Sequence, residues 1–408
     1  MILTHFKTNG IRASLLCLGA VFVLLLSCCN NKVVEEGESP KRNILFYIGG
    51  DNNLSSEAIQ KINEMRYGWK PGAGEMIIYL DGKNEGAFML RINDTKGTDN
   101  NGVAIYGLDT VQVRGSENSA DAEVLNQVIN KFTTDFPADS YGMIFFSHAS
   151  GWLPEGTLSR PRSMVIDGGT GTNREMEYYD FAGAIPDGRF DFIILESCLM
   201  ADVMSMYELR NKAEYVMASS AEILSPGFTD IYGNKTMGLF NTAQSVDVVL
   251  KAFAQSYYDV ITTAYPDEND DYCSLTMSII KAKEMENLAA AAKVALQGKS
   301  IDQTTLTVDS IQTFDRPKEL ISSSVPRHSR YFDLGHTIDS LATKAQYEAF
   351  ETQLNKTVVW KAATKRFLYY YNGFLIKRHS GLTTYIKQDD YPFLNSTFEN
   401  SSWYKAIY

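Results

Sequence analysis

The sequence predicts an α/β chain built on a mostly parallel sheet with helices on both faces. Three observations carry this. Near-continuous apolar runs alternate with helix-spaced segments through residues 43–240, and strands buried on both faces read as such runs. Each run closes on a small or polar turn, as in Gly49-Gly50-Asp51-Asn52-Asn53 and Asp81-Gly82. The chain has 408 residues, 44% of them hydrophobic, which suffices for a large core, and it shows no internal repeat.

Taken in order, Ile44 to Ile48 and Met76 to Leu80 read as the first two strands. Leu54 to Met65 lies between them with helical spacing and Ser55 as its cap. Phe88 to Ile92 and Val103 to Tyr106 read as a more polar, antiparallel extension. Asp121 to Phe136 places Val124, Leu125, Val128, Ile129 and Phe132 on one helical face. A strand closing at His148 follows, then a loop from Gly151 to Thr172, a helix near Glu175 to Ala184, and a strand closing at Cys198. A helix over Ala201 to Arg210 and a strand over Tyr215 to Ala218 complete the main domain, residues 43–250. Residues 251–408 are expected to form a smaller α+β part packed on it. Val246 to Ala264, which crosses this boundary, and Lys281 to Leu296 read as helices, Leu275 to Ile280 as a strand, and Phe374 to Lys377 with Leu382 to Ile386 as a late hairpin.

The N-terminus reads as a leader. Lys7 and Arg12 precede a 14-residue apolar stretch, Ala13 to Leu26, too short to span a bilayer comfortably. It ends in Leu25-Leu26-Ser27-Cys28, which resembles a bacterial lipobox, where cleavage precedes a cysteine that is then acylated. Residues 1–27 are thus expected to be removed, with Cys28 lipidated and residues 28–42 acting as a tether. The expected location is the bacterial cell envelope, anchored by lipid on the periplasmic or cell-surface side. Loss of residues 1–27 moves the net charge from −11 to −13, which disfavours a nucleic-acid partner. No disulfide framework is evident, so Cys198 is expected to be a free thiol in an oxidising compartment.

His148 and Cys198 stand 50 positions apart, each closing an apolar run. Both therefore fall at the carboxyl edge of one parallel sheet, where α/β proteins place their sites. A thiol beside an imidazole is the equipment of a cysteine hydrolase. Of five Cys and five His, only this pair has such placement; His328, His336 and His379 lack ligand spacing. The helix expected two or three residues after Cys198 would favour its thiolate through the helix dipole. The backbone N–H groups of Ala149 and Cys198 are candidates for an oxyanion hole, worth about 3–4 kcal/mol per donor. Residues two apart in a strand share a face, so Glu196 is expected on the Cys198 side. It either receives a cationic substrate side chain or accepts from a loop N–H.

These residues resemble the clostripain family of cysteine peptidases, relatives of caspases, gingipains and legumain. The segments that carry the likeness are Ser147-His148-Ala149-Ser150-Gly151-Trp152 and Leu195-Glu196-Ser197-Cys198-Leu199-Met200. Ala218-Ser219-Ser220-Ala221-Glu222 and Ser380-Gly381-Leu382-Thr383-Thr384-Tyr385 add to it. The resemblance implies a caspase-like αβα sandwich, His148 as general base and acid, Cys198 as nucleophile, and cleavage of proteins or peptides after Arg or Lys. It implies a second specificity acid after the next strand, for which Glu222 and Asp230 are both candidates. It also implies internal cleavage between histidine and cysteine, where Arg160, Arg162, Arg174 and Arg189 are available and Arg162-Ser163 is the expected site. No cofactor is expected. Some members need calcium, for which the acidic run Asp267 to Asp271 offers oxygen ligands without an EF-hand pattern.

The chain departs from the family at two places. Ala149 stands where glycine is usual, and Glu196 where aspartate is frequent. The expected function is a secreted, lipid-anchored cysteine endopeptidase. Ala149 keeps a second reading open, a binding lipoprotein on a peptidase fold without turnover; another acyl-transferring thiol enzyme, such as an amidase, is a third.

Overall fold

Strand alternation builds two apolar layers. In β1 (Arg42–Gly50), Leu45 and Tyr47 enter one layer, and Ile44, Phe46 and Ile48 enter the other. β2 (Met76–Gly82), β5 (Ser140–Phe146), β6 (Phe190–Glu196) and β7 (Ala213–Ala218) repeat this pattern, and together the five form the parallel centre of one sheet. β3 (Gly86–Thr98) and β4 (Ala104–Gly115) add antiparallel strands at one edge. β8 (Thr276–Lys281) and β9 (Val358–Ala363) do so at the other. The order is β9-β8-β7-β6-β5-β1-β2-β3-β4. The structure, a computed structural model, describes residues 41–83, 86–157, 166–167, 174–316, 328–370 and 373–408.

Helices cover both faces, giving the αβα sandwich. α1 (Ser55–Gly68), α5 (Thr229–Leu239) and α6 (Val246–Ala264) bury Ala58, Ile62, Ile231, Tyr232 and Phe253 against one face. α2 (Ala122–Asp135), α3 (Tyr178–Ala184), α4 (Val203–Glu208) and α7 (Met285–Leu296) cover the other. α2 forms because Asp121 caps it, accepting from Glu123 N at 2.9 Å, and because Leu125, Val128, Ile129 and Phe132 fall on one face. Each of those four side chains stabilises by about 1.5–3 kcal/mol on burial.

Sheet and core run on past residue 250. β8 and β9 belong to the same sheet, and Pro40–Tyr408 groups as one compact unit. α8 (Leu334–Leu341), α9 (Lys344–Thr357), α10 (Pro392–Asn400) and α11 (Ser402–Ile407) bury Leu334, Ile338, Phe350, Leu394 and Trp403 in the layer beside α7. No described helix is long and apolar enough to cross a membrane.

Three local expectations fail. Ser55 is not the cap of α1: Leu54 holds that position without a side-chain cap bond, and its own N–H donates to Asn52 Oδ1 of the preceding turn at 2.8 Å. The late hairpin does not form. Phe374–Leu375 pairs with Arg366–Phe367, and Thr383–Thr384 pairs with Phe332–Asp333. Asp333 draws the second segment in by accepting from Ser380 N at 2.6 Å, and Thr383 N donates to Ala201 O at 2.8 Å. The helix after Cys198 starts late, at Val203 with Asp202 as cap, and has six residues.

Candidate active site

Sheet order reverses at β1, which has β2 on one side and β5 on the other. Beyond the carboxyl ends of β1, β5 and β6 the chain turns three times. Serines tie those turns together: Ser147 Oγ donates to Gly49 O at 3.0 Å, and Ser197 Oγ donates to Ser147 O at 3.0 Å. Asn52 Nδ2 also donates to Gly49 O, at 3.0 Å. Asn53, His148 and Cys198 thereby line one open cleft of about 280 Å³.

His148 Nε2 lies 2.7 Å from Asn53 Oδ1. The Cys198 thiol is partly exposed, and its sulfur accepts from Ile223 N at 3.3 Å. Leu199 follows with φ of 63°, a left-handed conformation unusual for a side chain of this size. Its N–H donates to Ala221 O at 2.9 Å, so the strained turn is fastened to the segment after β7. The alternation of β6 ends there. Glu196 enters the layer of α1 and α5, and Cys198 also touches the opposite apolar layer, yet both line the same cleft. The thiol also lacks the expected helix terminus beside it, because α4 is short and begins five residues later.

Gly151 closes the histidine turn at φ of 56°; a Cβ there would stand 2.5 Å from Leu199 O. Tyr331 Oη donates to Ser150 O, holding this loop from the C-terminal part. Ala149 is 2% exposed and belongs to the apolar layer, so its methyl points into the core and not into the cleft.

The acids separate clearly. Glu196 is buried and committed: Oε1 accepts from Lys61 Nζ at 2.7 Å and from Phe228 N at 2.5 Å, and Oε2 from Tyr232 Oη at 2.5 Å. Burial pushes its carboxyl up from the ordinary range, with Lys61 pulling against that. Its structural role as acceptor is therefore the one seen. Lys61 in turn reaches Glu57 at 3.0 Å, Pro226 O at 2.8 Å and Thr229 Oγ1 at 2.9 Å. Glu222 lines the cleft and accepts from Arg316 Nε at 2.9 Å. Asp230 does not line it: the residue is exposed on α5 and its charge acts on Glu64 of α1.

Arg162, Ser163 and Cys28 lie outside the described residues. The acidic run is engaged in turn bonding. Asp267 Oδ1 accepts from Asn269 N at 2.9 Å, Asp271 Oδ1 from Tyr370 N at 2.8 Å, and Glu268 pairs with Lys365 at 2.8 Å. Among the described residues no group of His, Cys, Asp and Glu is arranged to hold a metal ion. Asn53, Lys61 and Arg316 escaped the sequence reading. The signal for Asn53 was available, since its turn ends the strand beside that of His148.

A thiol and an imidazole at adjacent parallel strand ends of an αβα sandwich define a cysteine peptidase. The profile of the clostripain family (Peptidase_C11) matches residues 46–405, and the chain belongs to that family. It is a hydrolase of peptide bonds whose chemistry needs no cofactor. Clostripain of Hathewaya histolytica is 24% identical over 219 residues, 48% of this chain. The matched part is 41% of that relative's length. Among solved structures, an inactive zymogen C11 protease from Parabacteroides distasonis has 27% identity and a TM-score of 0.73, covering 90% of this chain and 98% of its own. A secreted C11 cysteine protease from Bacteroides thetaiotaomicron, in complex with an irreversible peptide inhibitor, has 26% identity and a TM-score of 0.74, covering 90% and 99%.

Proposed function

We propose that this peptidase is a secreted, lipid-anchored endopeptidase cleaving after Arg or Lys. The observation that carries the catalytic assignment is the convergence of Asn53, His148 and Cys198 on one cleft, with 2.7 Å between His148 Nε2 and Asn53 Oδ1. With Asn53 Oδ1 as acceptor, Nε2 holds the proton and Nδ1 is the basic nitrogen. Nδ1 takes the proton of Cys198, and the sulfur attacks the scissile carbonyl carbon. The oxyanion faces the backbone N–H groups of Ala149 and Cys198. The imidazolium then protonates the leaving amine, giving a thioester. Water, activated by His148, releases the new carboxyl end and restores the thiol.

A basic P1 side chain is supported by the carboxylates of the cleft, among which Glu222 is the reader. Secretion and acylation at Cys28 are supported by Lys7, Arg12 and the apolar run ending in Leu25-Leu26-Ser27-Cys28. Self-activation is proposed at Arg162-Ser163.

The deciding experiment incubates the protein with Arg-, Lys- and Asp-aminomethylcoumarin peptides beside Cys198→Ala. Turnover of Arg or Lys substrates that falls by about 10⁴-fold or more in the variant is expected. Equal or better cleavage after Asp would overturn the basic preference. Two side arms use the same preparations: Cys28→Ala should lose metabolic fatty-acid label, and Cys198→Ala should stay intact while the parent is cut after Arg162.

A further inference from the structure

Among the described residues three carboxylates line the cleft: Glu57, Glu196 and Glu222. Each is already answered. Glu57 accepts from Ser225 Oγ at 2.7 Å and from Lys61 at 3.0 Å, and Glu196 accepts from Lys61 at 2.7 Å. The Lys61 side chain is wholly buried, over the Phe146 ring at 4.5 Å, with four oxygens within 3.0 Å. A cation so enclosed cannot make way for a substrate.

The third pair differs. Arg316 donates to Glu222 Oε2 through Nε at 2.9 Å and through Nη2, and the two side chains remain 12% and 11% exposed at the cleft. Its backbone stem is anchored: Phe314 N donates to Tyr331 O at 2.9 Å, and the buried Asp315 accepts from Arg330 N at 3.0 Å. The guanidinium thus stands in the cleft, on Glu222, delivered by the protein's own chain.

We propose that Arg316 occupies, on Glu222, the place of a substrate's basic P1 side chain, so that substrate binds by displacing it. This rests on the basic-P1 reading above. An intramolecular ligand competes at high effective concentration. If the displaced form is about one tenth of the population, apparent affinity is reduced about tenfold. The consequence is a peptidase with a built-in competitor: KM for basic substrates is set by Arg316, and kcat is not.

The test uses the full chain carrying Cys198→Ala and the probes Nα-acetyl-arginine methylamide and Nα-acetyl-glutamine methylamide, with binding followed by calorimetry. Arg316→Ala is expected to bind the arginine probe about tenfold more tightly and the glutamine probe unchanged. In active protein the same substitution should lower KM for an Arg substrate about tenfold at constant kcat. In a Glu222→Gln background Arg316→Ala should have no further effect, which a general change of charge would not reproduce. Arg316→Gln, which keeps the aliphatic stem, should act as Arg316→Ala does and covers the case of a poorly folded alanine variant. If the parent prefers the arginine probe and neither Arg316 variant alters its affinity, the competitor proposal is overturned and the basic preference stands. If no protein in the set prefers arginine to glutamine, the basic preference itself fails and the proposal with it.

Discussion

His148 Nε2 and Asn53 Oδ1 stand 2.7 Å apart, although 95 residues separate them. The contact joins the turn after β1 to the turn after β5. In the proposed mechanism an acceptor there holds the imidazole in one tautomer and supports the positive charge that would form during acyl transfer. A hydrogen bond to a charged group is worth about 1.5–3 kcal/mol. Asn53→Ala should therefore lower kcat/KM by about 10–100-fold with little change in melting temperature. Asn53→Asp, which keeps the acceptor, should retain more activity. Equal activity of parent and alanine variant would remove Asn53 from the mechanism.

Lys61 and Glu196 form a buried pair with side chains 0% and 1% exposed. Removing one partner leaves a charge in the core, which costs about 3–5 kcal/mol, whereas removing both does not. Lys61→Met and Glu196→Gln should each lower stability by that amount in urea unfolding, and the double variant should regain most of it. Independent, additive losses would mean that the pair is not coupled.

Asp202 lies beneath the catalytic turns and is wholly buried, accepting from Ser205 N at 2.9 Å and Ser205 Oγ at 2.6 Å. Burial pushes its carboxyl up to about 7 from an ordinary value of 3.8. The folded chain thus holds this proton more tightly than the unfolded chain does. The stabilisation is complete below about pH 4 and is lost as pH rises through about 7. Between pH 5 and pH 8 the loss is about 2–3 kcal/mol. Unfolding free energies of Cys198→Ala at the two pH values, compared with Cys198→Ala/Asp202→Asn, should show a flatter dependence in the second protein. Parallel slopes would contradict the shift.

Gly151 adopts a positive φ where a Cβ would meet Leu199 O at 2.5 Å. Gly151→Ala should separate the histidine and cysteine turns. The expected readout is a loss of labelling by a basic chloromethylketone, together with a lower melting temperature. Unchanged labelling would show that the turns tolerate the displacement.

The parallel centre of the sheet and its antiparallel extension were legible because apolar runs are a property of neighbouring residues. Placement of His148 and Cys198 at strand ends followed from the same pattern. Short two-residue pairings were not legible: Thr383–Thr384 takes its register from Asp333 and Ala201, both distant in sequence. For Glu196 the sequence left a substrate role and an acceptor role both open; its partners Phe228 and Lys61, 32 and 135 residues away, favour the acceptor role.

By itself the sequence determined the fold class, the family and the place of His148 and Cys198 at strand ends, since each is written in runs and motifs of adjacent residues. Only the tertiary structure decided how the charges of the cleft are answered. Lys61 lies 135 residues from Glu196, and Arg316 lies 94 residues from Glu222. Electrostatic partners are chosen by distance in space, and in a sheet whose order reverses at β1 that distance bears no simple relation to distance along the chain.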